Sequence, residues 1–191
     1  KRSQELHGGN RAIFPVRDVG IPIEIRNTND PAGPFTRIVK SRATTSQVIT
    51  GIAGRKDFVL FQIEKNLMNK MVGFGRRALQ IFESYNVSYD HTPTGIDSIS
   101  VIVRADSLGE NEDLIVEEIR RVLEPDSIEV IHDLAMIATV GQDMVHCIGL
   151  AARLCSSLAR AGVNLRVIDQ GASETNMIVG IENKDYEKAI R

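Results

Sequence analysis

One pattern constrains this chain more than any other: the order strand, helix, strand, strand, helix, strand occurs once and then begins again 76 residues later. Phe58 to Ile63 has the apolar content of a buried strand. Val72 to Tyr85 is an amphipathic helix in which Phe74, Ala78, Ile81, Phe82 and Tyr85 share one face. Asn86 to Asp90 and Ser98 to Val103 are strands around the turn Pro93-Thr94-Gly95. Asn111 to Leu123 is a second helix with Leu114, Ile115, Ile119 and Val122 inward, and Ser127 to Ile131 is a fourth strand. The series resumes with strand Leu134 to Val140, helix Met144 to Ala161, strands Asn164 to Asp169 and Met177 to Ile181, and a helix opening at Asn183-Lys184-Asp185. At one shift without a gap, Val87 meets Val163, Gly95 meets Gly171, Arg77 meets Arg153, Ile102 meets Ile178 and Val103 meets Val179. Identities that coincide with matched hydrophobic periods and a shared hairpin glycine predict two copies of one α+β, ferredoxin-like βαββαβ unit.

The second copy reaches Arg191 one strand short, which leaves an unpaired sheet edge of the kind proteins avoid. The spare strand Val48 to Ile52, within the alternating run that opens at Gln47 ahead of the first copy, is expected to fill that place. The first copy is then inserted within the second. Gly54-Arg55-Lys56-Asp57 is expected to turn the chain between them. The domains expected are 58–132 for the first copy and 47–57 with 133–191 for the second. Residues 1–46 read as the edge of something else. Residues 1 to 57 hold four of the six prolines, a Thr44-Thr45-Ser46 stretch, a short strand at Ile21 to Ile25 and strong turn chemistry at Asn27-Thr28-Asn29-Asp30-Pro31.

Charge and composition remove whole classes of function. Lys plus Arg number 23 against 25 Asp plus Glu, so nucleic acid finds no electrostatic foothold, and Arg76, Arg77, Arg120 and Arg121 read as solvated helix faces. No run approaches the roughly 20 apolar residues of a membrane span. The opening Lys1 to Glu5 has no apolar signal region, so a cytoplasmic chain is expected. Cys147 and Cys155 have no second pair to make a zinc site or a disulfide framework, and their spacing suggests small buried thiols on one helix face. The four histidines are scattered, and no Walker loop, nucleophile elbow or His-Glu-x-x-His motif occurs.

What remains is the loop Asn66 to Gly75, leading from a strand into a helix. Free N–H groups at a helix start, approached closely past glycines, make a seat for a carboxylate or phosphate. The same glycines serve close helix–sheet packing equally well. Asp90, at the next strand end, and the turn Gly95-Ile96-Asp97 bring two carboxylates to that end of the sheet, suited to an ammonium group. A zwitterionic ligand matches both halves.

The run Ile21-Pro22-Ile23-Glu24-Ile25-Arg26-Asn27-Thr28-Asn29-Asp30-Pro31, the stretch Lys65 to Gly75 and Val87-Ser88-Tyr89-Asp90 together resemble the C-terminal part of aspartate kinases. The doubled unit resembles that family's paired ACT domains, and residues 1–46 would be the tail of its catalytic domain. The resemblance implies a parent enzyme that uses ATP and Mg²⁺ to phosphorylate the β-carboxylate of aspartate, on the route to lysine, threonine and methionine. The catalytic motifs of that activity have no counterpart here, so this segment alone is expected to be inactive and to hold no cofactor. His7-Gly8-Gly9-Asn10 and Phe35 depart from the family's usual phrases, both inside the presumed tail. By the same resemblance the ACT units pair into a homodimer and hold an inhibitory amino acid, lysine or threonine, at the shared edge. The implied effector residues are Met68, Asn69, Lys70, Gly73, Phe74 and Gly75, with Tyr89 and Asp90 meeting the ammonium and Gly95, Ile96 and Asp97 closing the pocket. A ligand-free dimerisation module is the alternative. The second copy's matching loop, Gln142 to His146, lacks the Gly-Phe-Gly phrase.

Overall fold

The computed structural model describes residues 16, 19–39, 48–141, 144–171 and 175–191. The chain divides into two units, Lys1–Ser46 and Gln47–Arg191. In the first, β1 (Ile23–Ile25) and β2 (Thr36–Ile38) form an antiparallel hairpin. Asn27 caps the turn, its side-chain oxygen accepting the Asn29 N–H at 3.0 Å, which is the local bonding that makes Asn a turn residue. The Thr44 to Ser46 stretch and His7 to Asn10 lie outside the described residues.

The second unit is built on β3 (Ile49–Glu64), α1 (Phe74–Ser84), β4 (Tyr89–His91), β5 (Ser98–Arg104), α2 (Ala105–Leu108), α3 (Glu112–Leu123), β6 (Ser127–Gly141), α4 (Leu150–Arg160), β7 (Val167–Asp169), β8 (Asn176–Glu182) and α5 (Tyr186–Ile190). Its six-stranded sheet runs β4-β5-β3-β6-β8-β7, antiparallel throughout. The first half of β3 pairs with the second half of β6, Ile52 opposite Thr139, and the second half with the first, Ile63 opposite Ile128. Val48 precedes the strand, and Ile49 to Arg55 pair with Met136 to Gly141 of β6.

The expected turn at Gly54 to Asp57 is absent, and so is the break between Ile131 and Leu134. Each is a bulge inside one continuous strand, at Asp57 (φ 69°) and Asp133 (φ 56°). An extra residue at a bulge kinks the strand while the ladder resumes on either side. Glycine and aspartate suit a turn and a left-handed bulge alike, so local composition does not separate the two.

Odd-numbered side chains of β3 face the helices: Val59, Phe61 and Ile63 join Phe74, Ala78, Ile81 and Phe82 of α1 and Ile115, Ile119 and Leu123 of α3 in the first core. Phe61 meets Phe82 edge to face, centroids 5.1 Å apart. Leu114, expected inward, is half exposed, and the true stripe is Ile115, Ile119, Leu123 at i, i+4, i+8. Glu112 and Asp113 in the first turn of α3 and Arg120 and Arg121 in its last complement the helix dipole. Ala135, Ile137, Leu158, Val163, Val179 and Ile181 make the matching core of the second copy. Even-numbered side chains face the other way, where Phe58, Leu60 and Ile102 pack against Leu134, Met136 and Val167. The helix-free faces of the two copies thus share one apolar layer.

The gapless shift fails over the last strand. Phe58 lies opposite Arg104, and 76 residues on Leu134 lies opposite Glu182, which is 78 beyond Arg104. The second hairpin is therefore two residues longer, and the Ile102/Ile178 and Val103/Val179 identities are coincidences of register. An even difference keeps the same faces inward, which is why the hydrophobic match survived it. The cysteines also differ from expectation: Cys147 lies ahead of α4 rather than in it, and both are only half buried.

Candidate functional site

The loop between β3 and α1 contains a single 3₁₀ turn, Met68–Lys70, and ends at Gly73, whose φ of 75° caps α1 in the left-handed region that glycine enters without steric cost. Gly149 caps α4 in the same way at φ 80°, exactly one repeat shift further along. Val72 and Ile148, immediately before these glycines, are 94% and 99% exposed, so both loops hold an apolar side chain fully in solvent.

The loop's amides are unequally available. Asn69 N–H donates to the Ile96 carbonyl at 3.2 Å, Lys70 N–H to that of Leu67 at 2.9 Å, and Phe74 N–H to that of Met71 at 3.2 Å. Arg77 N–H returns to Gly73 at 3.0 Å, which leaves Gly73, Gly75 and Arg76 without a backbone acceptor among the described residues. Of the expected effector amides, Asn69, Lys70 and Phe74 are therefore occupied internally, and Gly73 and Gly75 are free at the first turn of an 11-residue helix.

Side chains divide in the same manner. Met68 and Phe74 are buried in the first core, so neither offers a side chain to a ligand. Gly75 needs little room, since a Cβ there would stand 3.9 Å from Ile99 Cδ1. Lys70 is exposed. Ile96 is 70% exposed beside the loop, and Gly95 closes its turn by donating its N–H to the Ser98 carbonyl at 2.8 Å. The Asp97 carboxylate accepts the Leu67 N–H at 2.8 Å, and its carbonyl accepts that of Lys65 at 2.8 Å. Asp97, expected to close the pocket, is bound to the chain itself through one oxygen. Sequence reasoning missed its counterpart Asp126, which accepts the Asn66 N–H at 2.6 Å. A carboxylate ahead of a strand gives no local sign of a partner 60 residues away.

Tyr89 and Asp90 stand apart from this loop, on edge strand β4. Tyr89 lines a 780 Å³ groove along α1 with Arg76, Gln80, Glu83, Asn86 and Ser88. Asp90 is exposed and has no ion-pair partner among the described residues. One chain brings loop and turn together; it does not bring Asp90 to them.

In the second copy, Gln142 and Asp143 of the matching loop lie outside the described residues. No group of three or more His, Cys, Asp or Glu side chains among the described residues is placed to hold a metal ion, and no helix among them is long and apolar enough to cross a membrane.

The family model for the ACT domain matches residues 137–191. Aspartokinase 3 of Bacillus subtilis is 39% identical over 183 residues, 95% of this chain and 40% of its own length. The crystal structure of an aspartate kinase from Clostridium acetobutylicum, described as an allosteric enzyme, superposes with a TM-score of 0.90 at 47% identity, covering 94% of this chain and 42% of that one. A putative C-terminal regulatory domain of aspartate kinase from Porphyromonas gingivalis matches at a TM-score of 0.58 and 26% identity, over 75% of this chain and 93% of that domain. The chain spans about two fifths of the length of the full-length relatives it matches.

Proposed function

Because the chain belongs to the aspartokinases, as one of their ACT-containing regulatory regions, we propose that it binds an end-product amino acid, lysine or threonine, and transmits that binding to a catalytic portion elsewhere in the protein. The observation that carries this reading is the pair of free amides at Gly73 and Gly75, next to the exposed turn at Ile96 and Asp97. The partial positive charge of free amides at a helix start favours a ligand carboxylate by about 0.3–1 kcal/mol.

The ammonium group needs Asp90, and a second copy of the chain supplies it. β4 pairs with β5 on one side only, and its other edge, together with the groove beside α1, suits the same edge of a two-fold-related partner. In that homodimer Tyr89 and Asp90 of one protomer complete the site on its partner. Residues 58–132 form the first ACT domain, 47–57 with 133–191 the second, and 1–46 the tail of the catalytic domain. The whole protein phosphorylates aspartate with ATP and Mg²⁺ in the cytoplasm, and none of that machinery is carried by this segment.

Ligand binding regulates only through unequal affinity for two arrangements of the enzyme. Calorimetry of this chain with lysine, threonine and methionine tests the reading. Heat from lysine or threonine, weakened by Asp90→Ala, is expected. A dimer by sedimentation that gives no heat with any of the three indicates a dimerisation module with empty sites.

A further inference from the structure

Leu67 adopts φ 59° and ψ 26°, a left-handed conformation that a leucine side chain disfavours, and it is 58% exposed, so core packing does not hold it there. Two carboxylates do. Asp97 accepts the Leu67 N–H at 2.8 Å from the turn before β5, and Asp126 accepts the Asn66 N–H at 2.6 Å from the turn before β6. Both turns are themselves anchored on the strand end below: Lys65 N–H donates to the Asp97 carbonyl, and Asp126 N–H to that of Glu64, each at 2.8 Å. Lys65 Nζ donates to the Glu124 carbonyl and lies 3.9 Å from Asp126 Oδ1. Three turns at one end of the sheet are thereby joined through the backbone that enters the loop.

We propose that Asp97 is a positioning residue, which sets the loop conformation through the Leu67 amide and so aims the Gly73 and Gly75 amides, without touching the ligand. Asp126 acts in the same way one residue earlier. The proposal rests on the effector reading above for its effect on affinity, but the link from Asp97 to Leu67 stands without it. Asp97 has one oxygen committed to a backbone donor within the chain, whereas Asp90 is exposed and its carboxylate has no such partner among the described residues, and the two therefore differ in task.

The amide acceptor of asparagine replaces the carboxylate acceptor but not its charge, and that separates positioning from ion pairing. In this chain, Asp97→Ala is expected to weaken lysine or threonine binding roughly tenfold, the loss of one hydrogen bond to a charged group, and Asp97→Asn to restore most of it. By NMR, the Leu67 amide is expected to exchange with solvent slowly in the wild type and in Asp97→Asn, and faster in Asp97→Ala. Wild-type affinity in Asp97→Ala, or an Asp97→Asn defect as deep as that of alanine, overturns the proposal. If Asp97→Ala does not fold, Asp97→Asn decides alone: near-native affinity supports positioning and a tenfold loss overturns it. If the wild type binds neither amino acid, the effector reading fails, and Leu67 amide exchange still decides whether Asp97 holds the loop.

Discussion

His91 Nδ1 lies 3.6 Å from Asp169 Oδ2, although the strands that carry them, β4 and β7, are the two outer strands of the sheet. The side chains meet across the helix-free faces, not along the strand edges: β3 and β6 bulge at Asp57 and Asp133, and those faces close on the shared layer of Phe58, Leu60, Ile102, Leu134, Met136 and Val167. The apolar layer drives this closure, and the His–Asp contact only marks it. With side chains 23% and 40% exposed, the pair is screened by solvent. A double-mutant cycle with His91→Ala and Asp169→Ala, read by urea unfolding, is expected to give a coupling below about 1 kcal/mol. A larger value would make the contact, rather than the layer, the cause of closure.

The two bulges are not equivalent in chemistry. Asp57 Oδ1 accepts from Asn183 Nδ2 at 2.9 Å and its N–H donates to Asn183 Oδ1 at 3.2 Å, which ties the first bulge to the end of β8. No side-chain bond of Asp133 is present among the described residues. Left-handed backbone costs an ordinary L-residue roughly 1–2 kcal/mol, a cost glycine escapes. Asp133→Gly is expected to stay within about 1 kcal/mol of the wild type, the relief offset by unfolded-state entropy. Asp57→Gly is expected to lose about 1 kcal/mol more, through the bond to Asn183. Equal effects at the two sites, in denaturant unfolding, would count against the Asn183 tie.

These bulges show what the sequence carries about the fold and what it omits. The two copies were legible because burial imposes its period on every strand and helix, and Val59, Phe61 and Ile63 or Ile115, Ile119 and Leu123 obey it. The continuity of β3 and β6 was not, since Gly54 and Asp57 are as much turn residues as bulge residues. The site divides similarly. The loop glycines were legible as places of close approach; that Gly73 is a left-handed helix cap was not, since the pattern starts the helix one residue earlier. That Asp97 serves Leu67 was not, because the hydrogen bond exists only once two turns have been brought to one end of the sheet. The expected amides at Asn69, Lys70 and Phe74 were misjudged because Asn69 N–H bonds the Ile96 carbonyl of the facing turn, while Lys70 and Phe74 N–H close local turns onto Leu67 and Met71.

Glu24 in the β1–β2 hairpin gives a pH dependence. Its carboxylate is bonded first by Arg37, at 2.6 Å, and then by Arg26, at 2.8 Å, and both guanidinium groups hold it below the usual carboxylate range. A lowered value in the folded state means that the hairpin gains from Glu24 above the ordinary carboxylate pKa and loses that gain as acid carries the pH down through the folded value. Following the Glu24 carboxyl carbon by NMR is expected to show a midpoint below those of unpaired exposed glutamates, and Arg37→Ala to raise it more than Arg26→Ala. A Glu24 midpoint that neither variant moves would remove the arginines as its cause.

Thr139 sets a hydroxyl inside the second copy where the first has a hydrocarbon side chain. It stands one repeat shift from Ile63, which is wholly buried in the first core, and it is itself 2% exposed, with an Oγ1 that has no hydrogen-bond partner among the described residues. Thr139 lines a 360 Å³ cavity with Leu150, Leu154, Leu158, Met177 and Ile190. A buried hydroxyl left unsatisfied costs about 1–3 kcal/mol, and replacing it by a methyl of the same shape removes that cost without opening space. Thr139→Val is therefore expected to stabilise the chain by about 1 kcal/mol, a rise of roughly 2–4 °C in Tm for a domain of this size. Thr139→Ser keeps the hydroxyl and loses the methyl, so it is expected to destabilise by a similar amount. Thermal unfolding of the two variants separates the contributions: a valine variant less stable than the wild type would mean that the hydroxyl is bonded in solution, by water within the cavity, and that the second core is wet where the first is dry.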